Sequence, residues 1–230
     1  MTEIAANLAR IRTEIAAACA RCGRDPAEVR LVAVSKTHPA ALVEAAGAAG
    51  QTVFGESYVQ EFLVKAELVR MPVEWHFIGH LQSNKARFLP GKVSLIHSVD
   101  RLSLAEEIDR QWGKSGLRAD VLIEVNLGGE ASKAGVDESA LEPLLRRLAR
   151  LPHLAVRGLM TLPPFCADPA EVRPYFRRLR ELAGELDALA LPGVSLHELS
   201  MGMSHDFAVA IEEGATLVRV GTAIFGERHG

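Results

Sequence analysis

The alternation of short apolar runs with segments of helical periodicity limits the possible folds of this sequence more than any other feature. Eight runs are predicted to be β-strands: Val29–Ser35, Thr52–Gly55, Glu74–Ile78, Val93–His97, Asp120–Val125, Leu154–Leu159, Val194–Leu199 and Thr216–Val220. Segments with helical spacing lie between them, among them Leu102–Trp112, Leu141–Leu151 and Val172–Leu189. Apolar strands that alternate with helices predict a parallel sheet. Eight such units match a (β/α)8 TIM barrel, which takes roughly 250 residues.

The competing topology is a doubly wound open sheet. That fold typically has a Gly-rich GxGxxG turn after its first strand. Here the first strand is followed by Ser35-Lys36-Thr37-His38-Pro39, which contains no glycine. The sequence therefore favours the closed barrel.

The chain opens with a helix that precedes the first strand. Its apolar side chains recur every three or four residues, at Ile4, Leu8, Ile11, Ile15, Cys19 and Cys22, and Gly23 with Pro26 ends the pattern. Domains commonly hold about 100–200 residues, and no Pro/Gly/Ser-rich linker interrupts these 230. We expect an α/β chain with one domain over residues 1–230: a barrel with an extra N-terminal helix.

Composition excludes several classes of protein. Hydrophobic residues make up 48% of the chain, which excludes disorder, and a net charge of −3 without basic clusters argues against nucleic acid as a partner. No apolar run reaches the roughly 18–20 residues that span a bilayer, and the N-terminus fits neither a secretory nor a transit signal. Three cysteines, an odd number, suit a reducing compartment. We expect a cytoplasmic protein without membrane or nucleic-acid partners.

Lys36 is the first candidate site residue, because it directly follows the buried first strand, where barrel active sites lie. Burial lowers the pKa of a lysine and supplies the neutral amine that attacks an aldehyde to form a Schiff base. The structural alternative is a rim lysine that pairs with a neighbouring carboxylate.

Small-residue loops follow the last two predicted strands. Ser200-Met201-Gly202-Met203-Ser204 follows the seventh, and Gly221-Thr222-Ala223 follows the eighth, just after Arg219. In many barrels these two loops form a phosphate site. A lysine opposite a phosphate site suggests a phosphorylated aldehyde, and pyridoxal 5′-phosphate (PLP) is the obvious candidate. Arg219 is assigned either to the phosphate or to the pyridine nitrogen.

Several motifs resemble those of one family, the YggS/PROSC pyridoxal phosphate homeostasis proteins. The early motifs are Val34-Ser35-Lys36-Thr37, Phe54-Gly55-Glu56-Ser57-Tyr58-Val59-Gln60-Glu61, Trp75-His76-Phe77-Ile78-Gly79, Leu81-Gln82-Ser83-Asn84-Lys85 and Ser98-Val99-Asp100. The later ones are Gly158-Leu159-Met160, Leu199-Ser200-Met201-Gly202-Met203-Ser204, Val218-Arg219-Val220-Gly221 and Ile224-Phe225-Gly226. The resemblance extends over essentially the whole chain.

The resemblance implies a PLP-bearing barrel similar to the N-terminal domain of alanine racemase, with Lys36 as the Schiff-base lysine. It also implies cofactor contacts from Ser200, Met201, Arg219 and Gly221, to which position adds Thr222. Within the matching motifs we further assign Ser57, His76 and Met160 to the cofactor site. The alternative for Met160 is a core contact. His76 and His80 have the i, i+4 spacing of a helical metal pair, but a strand and the turn at Gly79 separate them and no third ligand follows at workable spacing, so we expect no metal site. The family usually has asparagine where this chain has Ser57, which removes a side-chain amide.

The resemblance implies a carrier that holds PLP reversibly and delivers it to apo-enzymes as a monomer. A racemase needs a base on each face of the cofactor. In alanine racemase a further domain supplies the second base, and this chain ends soon after Gly226, so we expect no catalytic turnover. The first alternative is a small PLP-dependent, racemase-like enzyme acting on amino acids. The second is a PLP-free isomerase or aldolase that uses Lys36 on a sugar phosphate.

Overall fold

A computed structural model describes residues 2–129 and 134–227 of the chain. Within them, eight parallel strands close into one barrel in the order of the sequence. The strands are β1 (Arg30–Val34), β2 (Val53–Glu56), β3 (Glu74–Phe77), β4 (Leu95–Val99), β5 (Ala119–Glu124), β6 (Leu154–Met160), β7 (Val194–Ser200) and β8 (Leu217–Val220). The helices are α1 (Glu3–Cys22), α2 (Ala40–Ala48), α3 (Val59–Leu68), α4 (Leu102–Lys114), α5 (Glu138–Leu148), α6 (Arg173–Asp187), α7 (Phe207–Glu212) and α8 (Thr222–Phe225). Short 3-10 helices cover Pro26–Glu28, Ser83–Phe88 and Pro169–Val172.

The first strand closes the barrel. On one side β1 pairs with β2, with Val34 opposite Gly55, and on the other side it pairs with β8, with Leu31 opposite Val218. All eight strands run in the same direction, so their carboxyl ends meet at one mouth of the barrel. The residues that follow each strand therefore lie around one opening.

Two apolar clusters stabilise this arrangement. The larger one fills the layer between the strands and the surrounding helices, where side chains such as Phe54, Phe62 and Phe176 are fully buried. The smaller one lies inside the barrel and consists of Val32, Val53, Leu95, Leu122, Met160 and Leu217. Because strand side chains alternate between faces, six of the eight strands contribute to both clusters, whereas β3 and β7 contribute only to the larger one.

The N-terminal helix α1 completes the helical layer. Thr2 caps its first turn by accepting from Ala5 N–H, and Gly23 ends it with a φ of 71°, a left-handed conformation that suits glycine. Its buried face packs against α7, α8 and α2, and the Asn7 amide donates to the carbonyl of Ile224. The helix thereby covers the barrel beside β8 and β1.

The main sequence-based predictions of the fold are confirmed. All eight predicted strands occur, with bounds that differ by at most two residues, and the extra N-terminal helix is present. One detail is wrong: Cys19 is buried on α1 as expected, but Cys22 is exposed, because the helix ends there and leaves the core. No helix among the described residues is both long and apolar enough to cross a membrane.

Gly158 tests how closely β6 and β7 pack, and Gly184 in α6 provides the comparison. A Cβ at Gly158 in β6 would lie 1.8 Å from the carbonyl oxygen of Glu198 in β7, whereas a Cβ at Gly184 in α6 would have no neighbour within 4 Å. We expect Gly158→Ala to lower the free energy of unfolding by about 2 kcal/mol or more. Gly184→Ala should raise it by about 0.5–1 kcal/mol, because alanine favours helix. Urea denaturation measures both, and effects of the same sign would contradict the packing described.

Candidate cofactor site

Two adjoining cavities open at the carboxyl-end mouth of the barrel. The larger has a volume of about 680 Å³ and the smaller about 260 Å³. Both are lined by Lys36, Ser57, Ile78 and Leu162. Lys36 therefore lies where the two cavities meet.

The loop that carries Lys36 is held in an unusual conformation. Lys36 is half-buried, and the next residue, Thr37, has a φ of 67°, in the left-handed region that β-branched residues rarely adopt. The Thr37 backbone N–H donates to the Glu61 carboxylate at 2.5 Å, and the His38 N–H donates to the Ser35 carbonyl at 3.1 Å. These bonds fix the backbone on both sides of Lys36.

A buried ion cluster lies beneath this loop. The Lys65 ammonium, whose side chain is 5% exposed, donates to the Ser35 carbonyl at 2.5 Å, to Glu56 at 2.7 Å and to Glu61 at 2.6 Å. All three of its protons thus have acceptors. The Ser35 hydroxyl also donates to Glu56, and burial raises the pKa of Glu56 against the opposing effect of Lys65. Sequence reasoning missed this cluster, although Glu61 and Lys65 have the i, i+4 spacing of a helical ion pair.

Arg219 brings a buried positive charge to the smaller cavity. It is 5% exposed and donates to the Ser200 hydroxyl oxygen at 2.5 Å and to the Thr161 carbonyl at 3.0 Å. Burial lowers the pKa of Arg219 to about 10, opposed mainly by the negative charge of Glu124. The guanidinium therefore stays charged at neutral pH.

The loops after β7 and β8 form the rest of the smaller cavity. Its wall includes Ser204, Gly221 and Thr222, and the Met203 N–H donates to the Asp206 carboxylate at 2.6 Å. Gly202 has a φ of 89°, and a Cβ there would lie 2.6 Å from that of Ala210. Glycine is thus required where the first loop turns back on α7.

Ser57 lines both cavities. The backbone of Gly79 packs directly on it, since a Cβ at Gly79 would lie 2.3 Å from the Ser57 carbonyl oxygen. The loops after β2 and β3 are thereby held together.

Of the predicted site residues, the structure brings together Lys36, Ser57, Arg219, Gly221 and Thr222, all of which line the smaller cavity. The other four do not line either cavity: His76, Met160, Ser200 and Met201. Ser200 lies behind Arg219 and touches it, whereas Met160 belongs to the inner barrel cluster and Met201 to the outer one.

His76 is also directed away from this mouth. It lines a separate cavity of about 340 Å³ at the amino ends of the strands, and its ring contacts His97 at 3.0 Å and Glu74 at 2.9 Å. Residues 2–129 and 134–227 contain no group of three or more His, Cys, Asp or Glu that could hold a metal ion.

Glu124 is a site residue that sequence reasoning missed. It is the last residue of β5, is 6% exposed, and lines the larger cavity together with Lys36. Burial, reinforced by the negative charge of Asp100, raises the pKa of Glu124 to about 7. An acidic residue directly after the apolar run Val121–Ile123 was the available signal.

The donor set fits a phosphorylated aldehyde. A lysine amine suits the aldehyde carbon, and an arginine with two hydroxyl-bearing loops suits a phosphate. Lys36, Arg219, Ser204, Gly221 and Thr222 are the residues that can hold such a cofactor.

Comparison with known sequences gives a consistent result. Residues 6–229 match the family described as alanine racemase, N-terminal domain. A pyridoxal phosphate homeostasis protein of Aquifex aeolicus is 51% identical over 96% of this chain and 97% of its own length. A pyridoxal phosphate homeostasis protein of Pseudomonas aeruginosa is 47% identical over 99% of this chain and 97% of its own.

Solved structures agree with these sequences. PipY of Synechococcus elongatus, solved with PLP bound, is 43% identical and superposes with a TM-score of 0.85. The match covers 97% of this chain and 100% of PipY. Alanine racemase from Corynebacterium glutamicum gives a TM-score of 0.72 at 20% identity. This chain covers 61% of that racemase, and at this identity the likeness extends to the fold alone.

The raised pKa of Glu124 predicts a pH-dependent stability. Between the ordinary value of 4.5 and about 7, the folded protein holds a proton that the unfolded chain releases, so its stability falls as the pH rises. Glu124→Gln should remove this loss: we expect equal stability near pH 4 and a gain of up to about 3 kcal/mol near pH 8. Urea denaturation at a series of pH values measures it. The exposed Glu106→Gln is the control, and a similar gain there would contradict the assignment.

Proposed function

The chain belongs to the alanine racemase N-terminal domain family and, within it, to the pyridoxal phosphate homeostasis proteins, and we propose that it binds PLP as a Schiff base on Lys36. Its role is to bind PLP and maintain its supply. The observation that carries the proposal is that Lys36 and Arg219 line one cavity, together with the loops after β7 and β8.

The proposed bond uses the amine of Lys36 and the aldehyde of PLP. Condensation forms a C=N bond and releases one water molecule, and addition of water reverses it. The ion cluster under the loop supports this role, because it fixes Ser35 and Thr37 on either side of the lysine. The phosphate is assigned to the loops that carry Ser204, Gly221 and Thr222, with Arg219 supplying positive charge to the same cavity.

A carrier must release its cofactor, and the mouth of the site supports release. Tyr58, Leu162 and Met203 line the cavities and are 55%, 39% and 39% exposed. An incoming amine or a water molecule can therefore reach the bond to Lys36 from solvent. Carbanion chemistry instead benefits from dry, preorganised surroundings.

We also propose the compartment, the oligomeric state and the partners of the protein. We place it in the cytoplasm, in agreement with the lack of a disulfide bond among the described cysteines. Residues 1–230 act as one cofactor-binding domain and as a monomer. The recipients of PLP are apo-enzymes that use it.

One observation favours the alternative of a small PLP-dependent enzyme. Tyr58 and Glu124 line the same cavity as Lys36, and a carboxyl with a pKa of about 7 is suited to proton transfer at neutral pH. If the chain turns over amino acids, these two side chains are the candidate second base.

The role of Lys36 predicts a spectroscopic result. Lys36→Ala should abolish both the visible absorption band of the PLP complex and the covalent cofactor adduct that borohydride traps and mass spectrometry detects. Lys85→Ala is the matched control, because Lys85 is a second lysine on the wall of the larger cavity. Persistence of the band and adduct in folded Lys36→Ala, or their loss in Lys85→Ala, would contradict the assignment.

The choice between carrier and enzyme predicts a second result. PLP-loaded protein mixed with an apo-PLP enzyme should restore the activity of that enzyme, whereas the Lys36→Ala variant should not. Racemisation and decarboxylation of a panel of amino acids should remain at the level of that variant. Turnover above it that Glu124→Gln abolishes would instead establish the enzymatic alternative.

A further inference from the structure

A line of hydrogen bonds crosses the interior of the barrel from one mouth to the other. Arg219 in β8 contacts the Ser200 oxygen at 2.5 Å, and the Ser200 oxygen contacts Nδ1 of His97 at 2.8 Å. Nε2 of His97 lies 3.0 Å from Nδ1 of His76, and Nε2 of His76 lies 2.9 Å from the Glu74 carboxylate. Arg219 lines the smaller cofactor cavity, whereas Glu74 and His76 line the cavity at the opposite mouth.

The chemistry of the two ends fixes the direction of every bond. A guanidinium only donates, so the Ser200 oxygen accepts from Arg219 and its own proton goes to Nδ1 of His97. With Nδ1 as an acceptor, neutral His97 carries its proton on Nε2 and donates it to Nδ1 of His76. His76 then donates from Nε2 to the Glu74 carboxylate, which only accepts. All four bonds run from the cation to the anion.

The opposite arrangement leaves a group unsatisfied. If His76 carried a second proton, on Nδ1, His97 would have to accept at Nε2 and donate from Nδ1 to Ser200. The Ser200 oxygen would then accept from both His97 and Arg219, and its own proton would lose its acceptor. Ser200 and His97 are fully buried, so a lost hydrogen bond there is not replaced by bulk water.

The charges at the two ends agree with this direction. Arg30 at the start of β1 lies 3.7 Å from Glu74, and the hydrogen bond from His76 lowers the pKa of Glu74. Burial lowers the pKa of His97 well below its usual range, and the positive charge of Arg219 acts in the same sense. His97 is therefore neutral at neutral pH, and the line of hydrogen bonds runs between a cation and an anion.

We propose that His97, His76 and Glu74 are positioning residues that hold the Arg219 guanidinium in place for the cofactor through a one-way chain of hydrogen bonds. Its effect on PLP rests on the proposed function, whereas the chain itself does not. None of the three side chains lines the cofactor cavities. Sequence reasoning placed His76 at the cofactor, and the proposal gives this residue an indirect role instead.

Nuclear magnetic resonance of the cofactor-free protein tests the chain directly. Long-range proton–nitrogen correlation of 15N-labelled protein at neutral pH distinguishes the two tautomers of each imidazole and the doubly protonated ring. We expect His76 and His97 both to be neutral with the proton on Nε2. A proton on Nδ1 of His97, or a second proton on either ring, would overturn the proposed direction.

Variants of His97 test the positioning role. His97→Phe removes both bonds and should weaken PLP binding about tenfold, whereas His97→Asn, which keeps an acceptor for the Ser200 hydroxyl, should remain within about threefold of wild type. His197→Phe is the matched control, because His197 is an exposed histidine at the same mouth as His76 and is not a member of the hydrogen-bond chain. Titration of the visible band measures all three, and wild-type affinity in folded His97→Phe would overturn the proposal.

Glu74, the half-exposed end of the hydrogen-bond chain, provides a second comparison that does not depend on the folding of the His97 variants. Glu74→Gln keeps an acceptor for His76, whereas Glu74→Leu removes it, and both lose the charge that faces Arg30. We expect only Glu74→Leu to weaken PLP binding, by about threefold. Equal effects would contradict transmission through the chain. If wild-type protein binds no PLP, the proposed function fails. The histidine tautomers measured by nuclear magnetic resonance still test the direction of the hydrogen bonds in that case.

Discussion

Pairing between β1 and β8 is the constraint on which the rest of the structure depends. Val32 lies opposite Arg219 and Ala33 opposite Val220, which closes the sheet and leaves no free edge. The same register brings the residues after β1 beside those after β8. The loop that carries Lys36 is therefore adjacent to the loop of Gly221, although 185 positions separate the two residues in the sequence (221 − 36).

The closed barrel contains more polar side chains than its packing alone requires. An interior of this size is normally filled by apolar residues, and here six apolar side chains share it with Arg219, Ser200, His97 and His76. Such a network is tolerated when each member has a partner, and becomes costly when one partner is removed. The same rule applies outside the barrel to Lys65, whose three acceptors replace the water that burial removes.

The fold could be predicted from the sequence because its signals are local and periodic. Apolar runs fixed the eight strands, and the three- or four-residue spacing fixed α1 and the longer helices. Positions just after strands were also informative, since Lys36 and Thr222 line one cavity together with Arg219 of β8. In a barrel of parallel strands, the residues that follow each strand meet at one mouth, so their positions in the sequence predict that they lie close together.

The contacts inside the site could not be predicted in the same way. The raised pKa of Glu124 and the buried ion pair of Lys65 both depend on burial. Burial in turn depends on packing between segments that are distant in the sequence. The bond between His76 and His97 depends on the register of β3 against β4, which no local pattern encodes. Met160 and Met201 were assigned to the cofactor on resemblance, whereas the alternation of strand side chains directs Met160 into the barrel core.

The two polar networks and the open mouth together explain how one site can combine retention with exchange. The ion cluster beneath Lys36 and the chain behind Arg219 fix the two charged groups from the protein side, before any cofactor arrives. Preorganised groups bind their ligand at a lower ordering cost. The exposed side chains at the mouth leave the reacting bond within reach of solvent and of other amines. In the proposed carrier, affinity is assigned to the residues behind the cofactor and release to the access in front of it.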